Sequence, residues 1–315
     1  MNKRRLGSSE LEVSALALGS NVFGWTLDEA QSFRVLDAYV AAGGNFIDTA
    51  DVYSRWKPGN RGGESEAIIG KWIKQRGNRA KVLIATKIGM EMGPGKKGLS
   101  RAYLLHGVEE SFARLQTDYI DLYQSHTDDA DTPVEETLEA FAALIRQGKV
   151  RAVGASNFTG ERLAKSLAAS RAGKLAAYVS LQPHYNLCER SGYEGDLEPV
   201  CLANGLGVIP YFPLAAGFLT GKYRSEADLG KSPRGAGLKK YLNERGMRIL
   251  AALDQAAGRQ RSTPASVALA WLMARPGITA PIASATTVEQ LDALVAASRL
   301  ALTPADLEAL NEASA

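Results

Sequence analysis

Asp28-Glu-Ala-Gln-Ser-Phe-Arg-Val-Leu-Asp-Ala-Tyr-Val-Ala-Ala-Gly43-Gly44-Asn45-Phe-Ile-Asp48-Thr-Ala-Asp-Val-Tyr53 carries one complete unit of the fold. Ala30, Phe33, Leu36 and Val40 lay an apolar stripe along a helix that Asp28 caps and Gly43-Gly44 stops. The run Asn45 to Asp48 then reads as a short buried strand ending in an ionisable residue where a loop begins. Helix, strand and charged strand end are the half-unit of a parallel α/β chain.

The same alternation continues on both sides. Strands are expected at Ala15 to Leu18, Asn45 to Asp48, Val82 to Thr86, Tyr119 to Gln124, Val150 to Gly154, Tyr178 to Gln182, Gly207 to Pro210 and Ala280 to Ala283. Eight is the number that closes a (β/α)8 TIM barrel. Helices are expected over Ser100 to Leu115, from Thr132-Pro133-Val134-Glu135, over Thr159 to Ala172, and from Ser262-Thr263-Pro264, each opening on a capping or first-turn signal. No linker interrupts the pattern, so residues 1–315 are expected to form a single barrel domain. Two loops exceed the usual length, Ile88 to Leu99 after the third strand and Leu214 to Tyr241 after the seventh, at the barrel end where active sites form.

Composition narrows the function. The 315 residues are 45% hydrophobic and 23% charged, enough for a large core. Lys+Arg 37 against Asp+Glu 34 leaves only +3, without the basic surface of a nucleic-acid binder. No apolar h-region follows Met1 to Glu10, and no stretch is apolar for long enough to span a bilayer, so neither secretion nor a membrane partner is expected. Cys188 and Cys201 offer no disulfide framework, and with His106, His126 and His184 they form no zinc set. No metal and a cytoplasmic location are the expectations. Leu18-Gly-Ser-Asn-Val-Phe-Gly24 lacks the Gly-x-Gly-x-x-Gly spacing, which excludes a Rossmann turn.

Three successive strands end in ionisable groups: Asp48, Lys87 in Ala85-Thr-Lys87, and His126 in Tyr119-Ile-Asp-Leu-Tyr-Gln-Ser-His126. Singly, each has an ordinary structural explanation as a strand cap, a strand-end lysine or a hydrogen-bonded histidine. Together they converge, because neighbouring strands lie only about 4.8 Å apart. A buried ammonium at Lys87 needs the counter-ion that Asp48 offers. A cation beside the Tyr53 phenol favours phenolate and is expected to lower its pKa from about 10 toward working pH, making Tyr53 a proton donor. A neutral His126 would orient a carbonyl oxygen.

These residues resemble the aldo-keto reductases, a family of (β/α)8-barrel oxidoreductases that use a nicotinamide cofactor. The resemblance spans nearly the whole chain. Its anchors are Gly44-Asn-Phe-Ile-Asp48-Thr-Ala-Asp-Val-Tyr53, Thr86-Lys87, Asp121-Leu-Tyr-Gln-Ser-His126, Gly148-Lys-Val-Arg-Ala-Val-Gly-Ala-Ser-Asn-Phe158 and Leu181-Gln-Pro-His-Tyr-Asn-Leu187. The motif pattern is most similar to bacterial members related to the potassium-channel β-subunit branch. The resemblance implies a catalytic tetrad of Asp48, Tyr53, Lys87 and His126, and a cofactor, NADPH or NADP+ with NADH as the alternative, bound on the barrel rim.

It also implies that Ser20 and Asp48 lie against the cofactor, that Ser156, Asn157 and Gln182 hold the carboxamide, and that Tyr211 stacks on the ring within Tyr211-Phe212-Pro213-Leu214. Gly217, Leu219, Lys222 and Arg234 match the phosphate-contacting stretch, and Ser284, Thr286 and Gln290 the adenosine end. Ala293 and Leu294 depart from the pattern, standing where relatives often have Glu and Asn.

Phe23, Trp25, Trp56, Met90 and Tyr185 fall on expected rim loops and are candidates for an apolar pocket holding a small-molecule carbonyl substrate. Carbonyl reduction to an alcohol is the reading that uses every residue. A Schiff-base aldolase would use Lys87 alone, and a nucleotide-binding regulatory or redox-sensing protein of the same fold would use the cofactor residues without turnover.

Overall fold

The computed structural model describes residues 1–232 and 235–315. Eight parallel strands follow one another around a sheet in chain order: β1 (Ala17–Gly19), β2 (Phe46–Asp48), β3 (Leu83–Ile88), β4 (Ile120–Ser125), β5 (Val150–Ser156), β6 (Tyr178–Gln182), β7 (Gly207–Val208) and β8 (Ile282–Ala283). β8 pairs with β1 through Ile282 and Ala17. Bridges from Val208 in β7 to Ile278 ahead of β8, and from Tyr211 after β7 to Ile282 in β8, close the ring into a barrel.

Boundaries fall within a few residues of expectation. β3, β4 and β5 run further toward their carboxyl ends, so Lys87 lies inside its strand and Ile88 ends it. β7 and β8 are shorter than expected because Pro210 and Pro281 interrupt the ladder donors.

The helices on the outside are α1 (Glu29–Ala41), α2 (Glu64–Arg76), α3 (Arg101–Leu115), α4 (Val134–Arg146), α5 (Gly160–Gly173), α6 (Leu197–Ala203), α7 (Glu244–Gln260), α8 (Pro264–Ala274), α9 (Val288–Ala297) and α10 (Pro304–Ala313), with a single turn at Ser191–Glu194. Asp28 caps α1 in a reciprocal box with Gln31, and Ser100, Thr159 and Thr263 cap α3, α5 and α8. The segment after β7 is not one open loop. It contains short 3-10 helices at Ala215–Thr220, Glu226–Lys231 and Gly235–Tyr241. Among the described residues no helix is long and apolar enough to cross a membrane.

The barrel interior is layered by the two-residue period of its strands. At the amino end Phe46, Ala85, Leu122, Ala152 and Ile209 form an apolar floor. A hairpin of Lys3–Arg5 and Glu12–Ser14 closes that floor with Leu6, Leu11 and Val13. Two residues further along β2, β3 and β4 the inward positions become Asp48, Lys87 and Gln124, all fully buried. The polar layer therefore has an apolar plug beneath it and opens only toward the carboxyl-end rim.

Phe46→Ala should destabilise the protein by about 3–5 kcal/mol, because the plug cannot collapse into the space left by the ring. Urea unfolding with an unchanged m value checks this, and a loss under about 1 kcal/mol would show that the floor is not closely packed.

Candidate active site

Asp48 ends β2 and Lys87 lies next to the end of β3, both with no exposed surface. The Lys87 ammonium donates to Asp48 Oδ1 at 2.6 Å, to the Thr49 carbonyl at 2.8 Å and to the Tyr53 hydroxyl at 2.9 Å, which engages all three of its hydrogens. Tyr53 in turn donates to Asp48 Oδ1 at 3.3 Å. The other carboxylate oxygen accepts from Gln182 Nε2 at 2.9 Å and Gln124 Nε2 at 3.4 Å. Burial of this kind is tolerable only for a charge pair whose remaining hydrogen-bonding capacity is satisfied.

His126 follows β4. Its ring centroid lies 6.0 Å from that of Tyr53, and its Nδ1 is buried without a partner. Burial, followed by the Lys87 charge, holds its pKa well below 6.5, so the imidazole is neutral. The expected lowering of the Tyr53 pKa does not occur. Burial and then the Asp48 carboxylate push it well above 10, outweighing the neighbouring ammonium, and Tyr53 keeps its proton. Burial lowers the Lys87 pKa while Asp48 opposes that shift.

Around this cluster the rim brings together Ser156, Asn157, Gln182 and Tyr211. Asn157 adopts a left-handed φ of 55°, donates to the His126 carbonyl at 2.8 Å, and accepts from the Tyr211 hydroxyl at 2.8 Å. The Tyr211 ring is stacked on His184 at 5.2 Å. Gly217 has φ 107°, and a Cβ there would make only ordinary contact with the Tyr223 ring and the Lys222 stem, at 3.8 and 3.9 Å. Gln290 accepts from the backbone and hydroxyl of Thr286 at the start of α9, and Ser284 donates to Asn21.

The family model for the aldo/keto reductase family matches residues 15–315. The chain belongs to this family. It is 38% identical to the uncharacterized oxidoreductase YrpG of Bacillus subtilis, over 98% of this chain and 94% of that protein. It is 33% identical to a probable voltage-gated potassium channel subunit beta of Arabidopsis thaliana, over 92% of this chain and 89% of that protein. It is 32% identical to the norsolorinic acid reductase of Aspergillus flavus, over 97% of this chain and 79% of that protein.

Within this oxidoreductase barrel the remaining expected residues separate into groups. Trp25 and Trp56 meet edge to face at 5.7 Å, and Trp56 stands 6.0 Å from the Tyr53 ring, making an aromatic shelf at the mouth. Met90 is half-buried on the loop after β3. Phe23 and Tyr185, expected at the pocket, are fully buried. Phe23 is fully buried in the hydrophobic core, and Tyr185 packs against Tyr193 and Trp271 with its hydroxyl on Glu194. Both follow barrel strands at the carboxyl-end rim, but their side chains are packed into the core.

Ser20 is buried, donating to the Asp48 carbonyl and accepting from Ser65, so it supports the strand end that carries Asp48. Phe212 is exposed, Pro213 and Leu219 are buried, Leu214 is half-buried, and Lys222 is exposed. Arg234 lies outside the described residues.

Sequence reasoning missed Gln124, Thr49, Ser65 and His184. Gln124 was recoverable, since it precedes His126 by two residues and shares its strand face.

Lys87→Met should destabilise by about 3–5 kcal/mol, because the Asp48 charge is then buried without a counter-ion. Adding Asp48→Asn should recover about 1–3 kcal/mol in a denaturation cycle. Simple additivity of the two losses would contradict the pairing.

Proposed function

We propose that this chain is an NADP(H)-dependent reductase of aldehydes or ketones, with Tyr53 as general acid. One observation carries the reading: a protonated phenol is held 2.9 Å from a fully buried ammonium and beside a neutral imidazole, at the open end of an otherwise plugged barrel. When bound, the reduced nicotinamide supplies a hydride to the carbonyl carbon, so that the carbonyl is reduced and the cofactor oxidised. The residues of the chain handle the charge and the proton. Tyr53 gives its hydroxyl proton to the carbonyl oxygen as the π electrons move there, and Lys87 stabilises the phenolate left behind. His126 presents an uncharged ring that hydrogen-bonds the same oxygen and fixes its direction.

The rim suits a nicotinamide. Asn157 and Gln182 carry the amide groups a carboxamide needs, Ser156 adds a hydroxyl, and Tyr211 offers a flat face already supported by His184. The side-chain-free backbone at Gly217, with exposed Lys222 beside it, suits a phosphate, and the preference for NADP(H) follows the family resemblance. Full engagement of the Lys87 ammonium by three acceptors supports proton handling over Schiff-base chemistry. The similarity to a probable potassium channel subunit beta keeps a regulatory role as the second reading, and the assembled Asp48, Tyr53, Lys87 and His126 favour turnover. Cys188 and Cys201 are buried free thiols, as suits a reducing cytoplasm.

Fluorescence titration should show NADPH binding more tightly than NADH, followed by NADPH oxidation with a panel of aldehydes and ketones. Tyr53→Phe should lower kcat by about 10²–10⁴-fold while the NADPH Kd changes less than about threefold. Full activity in a folded, NADPH-bound Tyr53→Phe protein would remove Tyr53 from its role.

A further inference from the structure

Asp51 lies between Asp48 and Tyr53 and is 5% exposed, and its Oδ1 has no hydrogen-bond partner. Its backbone N–H donates to the Lys87 carbonyl at 3.2 Å, which fixes this residue beside the Lys87 strand. Lys87 is fully engaged elsewhere, and Arg114 is paired with Glu66. All three Lys87 hydrogens have other acceptors, while Arg114 Nε donates to Glu66 Oε2 at 2.6 Å and its Nη2 to Ser111 at 3.3 Å. Glu66 is fully buried and its other oxygen accepts from Thr86 at 2.6 Å. A second buried carboxylate without an ion pair among the described residues is costly, and taking up a proton removes the cost.

The groups acting on Asp51 come from every side: Lys87 from β3, Glu66 from α2, Arg114 and Tyr103 from α3, Tyr123 from β4, and Tyr53 from its own loop. Burial first and the Glu66 charge second push the Asp51 carboxyl up to about 8.

We propose that Asp51 is a positioning residue for proton transfer: neutral, it leaves the Lys87 and Tyr53 pair free to accept charge, and ionised, it opposes the negative charge forming on the Tyr53 oxygen. This rests on the reductase reading. In the direction of alcohol formation Tyr53 must become phenolate, so ionisation of Asp51 slows the step. In the same range Tyr53 stays protonated and His126 stays neutral, which makes Asp51 a source of alkaline decline distinct from both.

The test has two readouts. In protein labelled with [γ-13C]aspartate and free of cofactor, one carboxyl resonance should titrate within about a pH unit of the value near 8 and be missing from Asp51→Asn. With NADPH and a reducible carbonyl, kcat should fall about tenfold from neutral to alkaline pH in the wild type, the effect of one pKa unit of interaction. That decline should vanish in Asp51→Asn and persist in Asp51→Glu, and Asp51→Ser carries the comparison if Asp51→Asn does not fold. Absence of the resonance, or a decline that survives in Asp51→Asn, overturns the inference alone. A wild-type chain that oxidises NADPH with no carbonyl overturns the functional reading and this inference with it.

Discussion

A fully buried ammonium in the mouth of a barrel is the constraint around which the upper half of this molecule is arranged. Lys87 can sit there only because Asp48 cancels its charge at 2.6 Å and because Thr49 and Tyr53 take its other hydrogens. Asp48 depends in turn on amide donors from Gln124 and Gln182, which ties β2 to β4 and β6 across the interior. The apolar plug below separates this layer from solvent at the amino end. Low-dielectric surroundings strengthen each of these contacts, so the Tyr53 hydroxyl is held and polarised between the ammonium and the carboxylate.

Several rim residues adopt the left-handed backbone region. Asn157, Phe212, Ala215 and Ala216 all have positive φ, and none is glycine. Specific bonds hold them: Asn186 Nδ2 donates to the Phe212 carbonyl at 2.9 Å, and Asn157 bridges the His126 carbonyl and the Tyr211 hydroxyl. These strained residues lie beside the position proposed for the nicotinamide. The geometry around His126 and Tyr211 is thus set by the same loops, and a change in one is expected to reach the other.

Much of this was legible in the sequence because its signals are local. Short apolar runs marked all eight barrel strands, and Asp28, Ser100, Thr159 and Thr263 each marked a helix start through a side chain that caps its own neighbours. What was not legible depends on contacts between distant residues. The hairpin that plugs the barrel has strands of three residues and acquires its role only from the floor beneath Phe46. Phe23 and Tyr185 sit on segments whose sequence reads alike for a core and a rim. The proton on Tyr53 follows first from burial of the phenol and then from the Asp48 carboxylate, and spacing alone favoured the wrong sign.

The charge balance among Asp48, Lys87 and Tyr53 is open to direct observation by NMR of protein labelled at the tyrosine Cζ, with the Tyr53 resonance assigned through Tyr53→Phe. The account predicts a neutral phenol up to at least about pH 10, the ordinary tyrosine value, and ionisation at distinctly lower pH once Asp48→Asn leaves the ammonium unopposed. A Tyr53 phenolate at neutral pH in the wild type, or a titration that Asp48→Asn does not move, would contradict it.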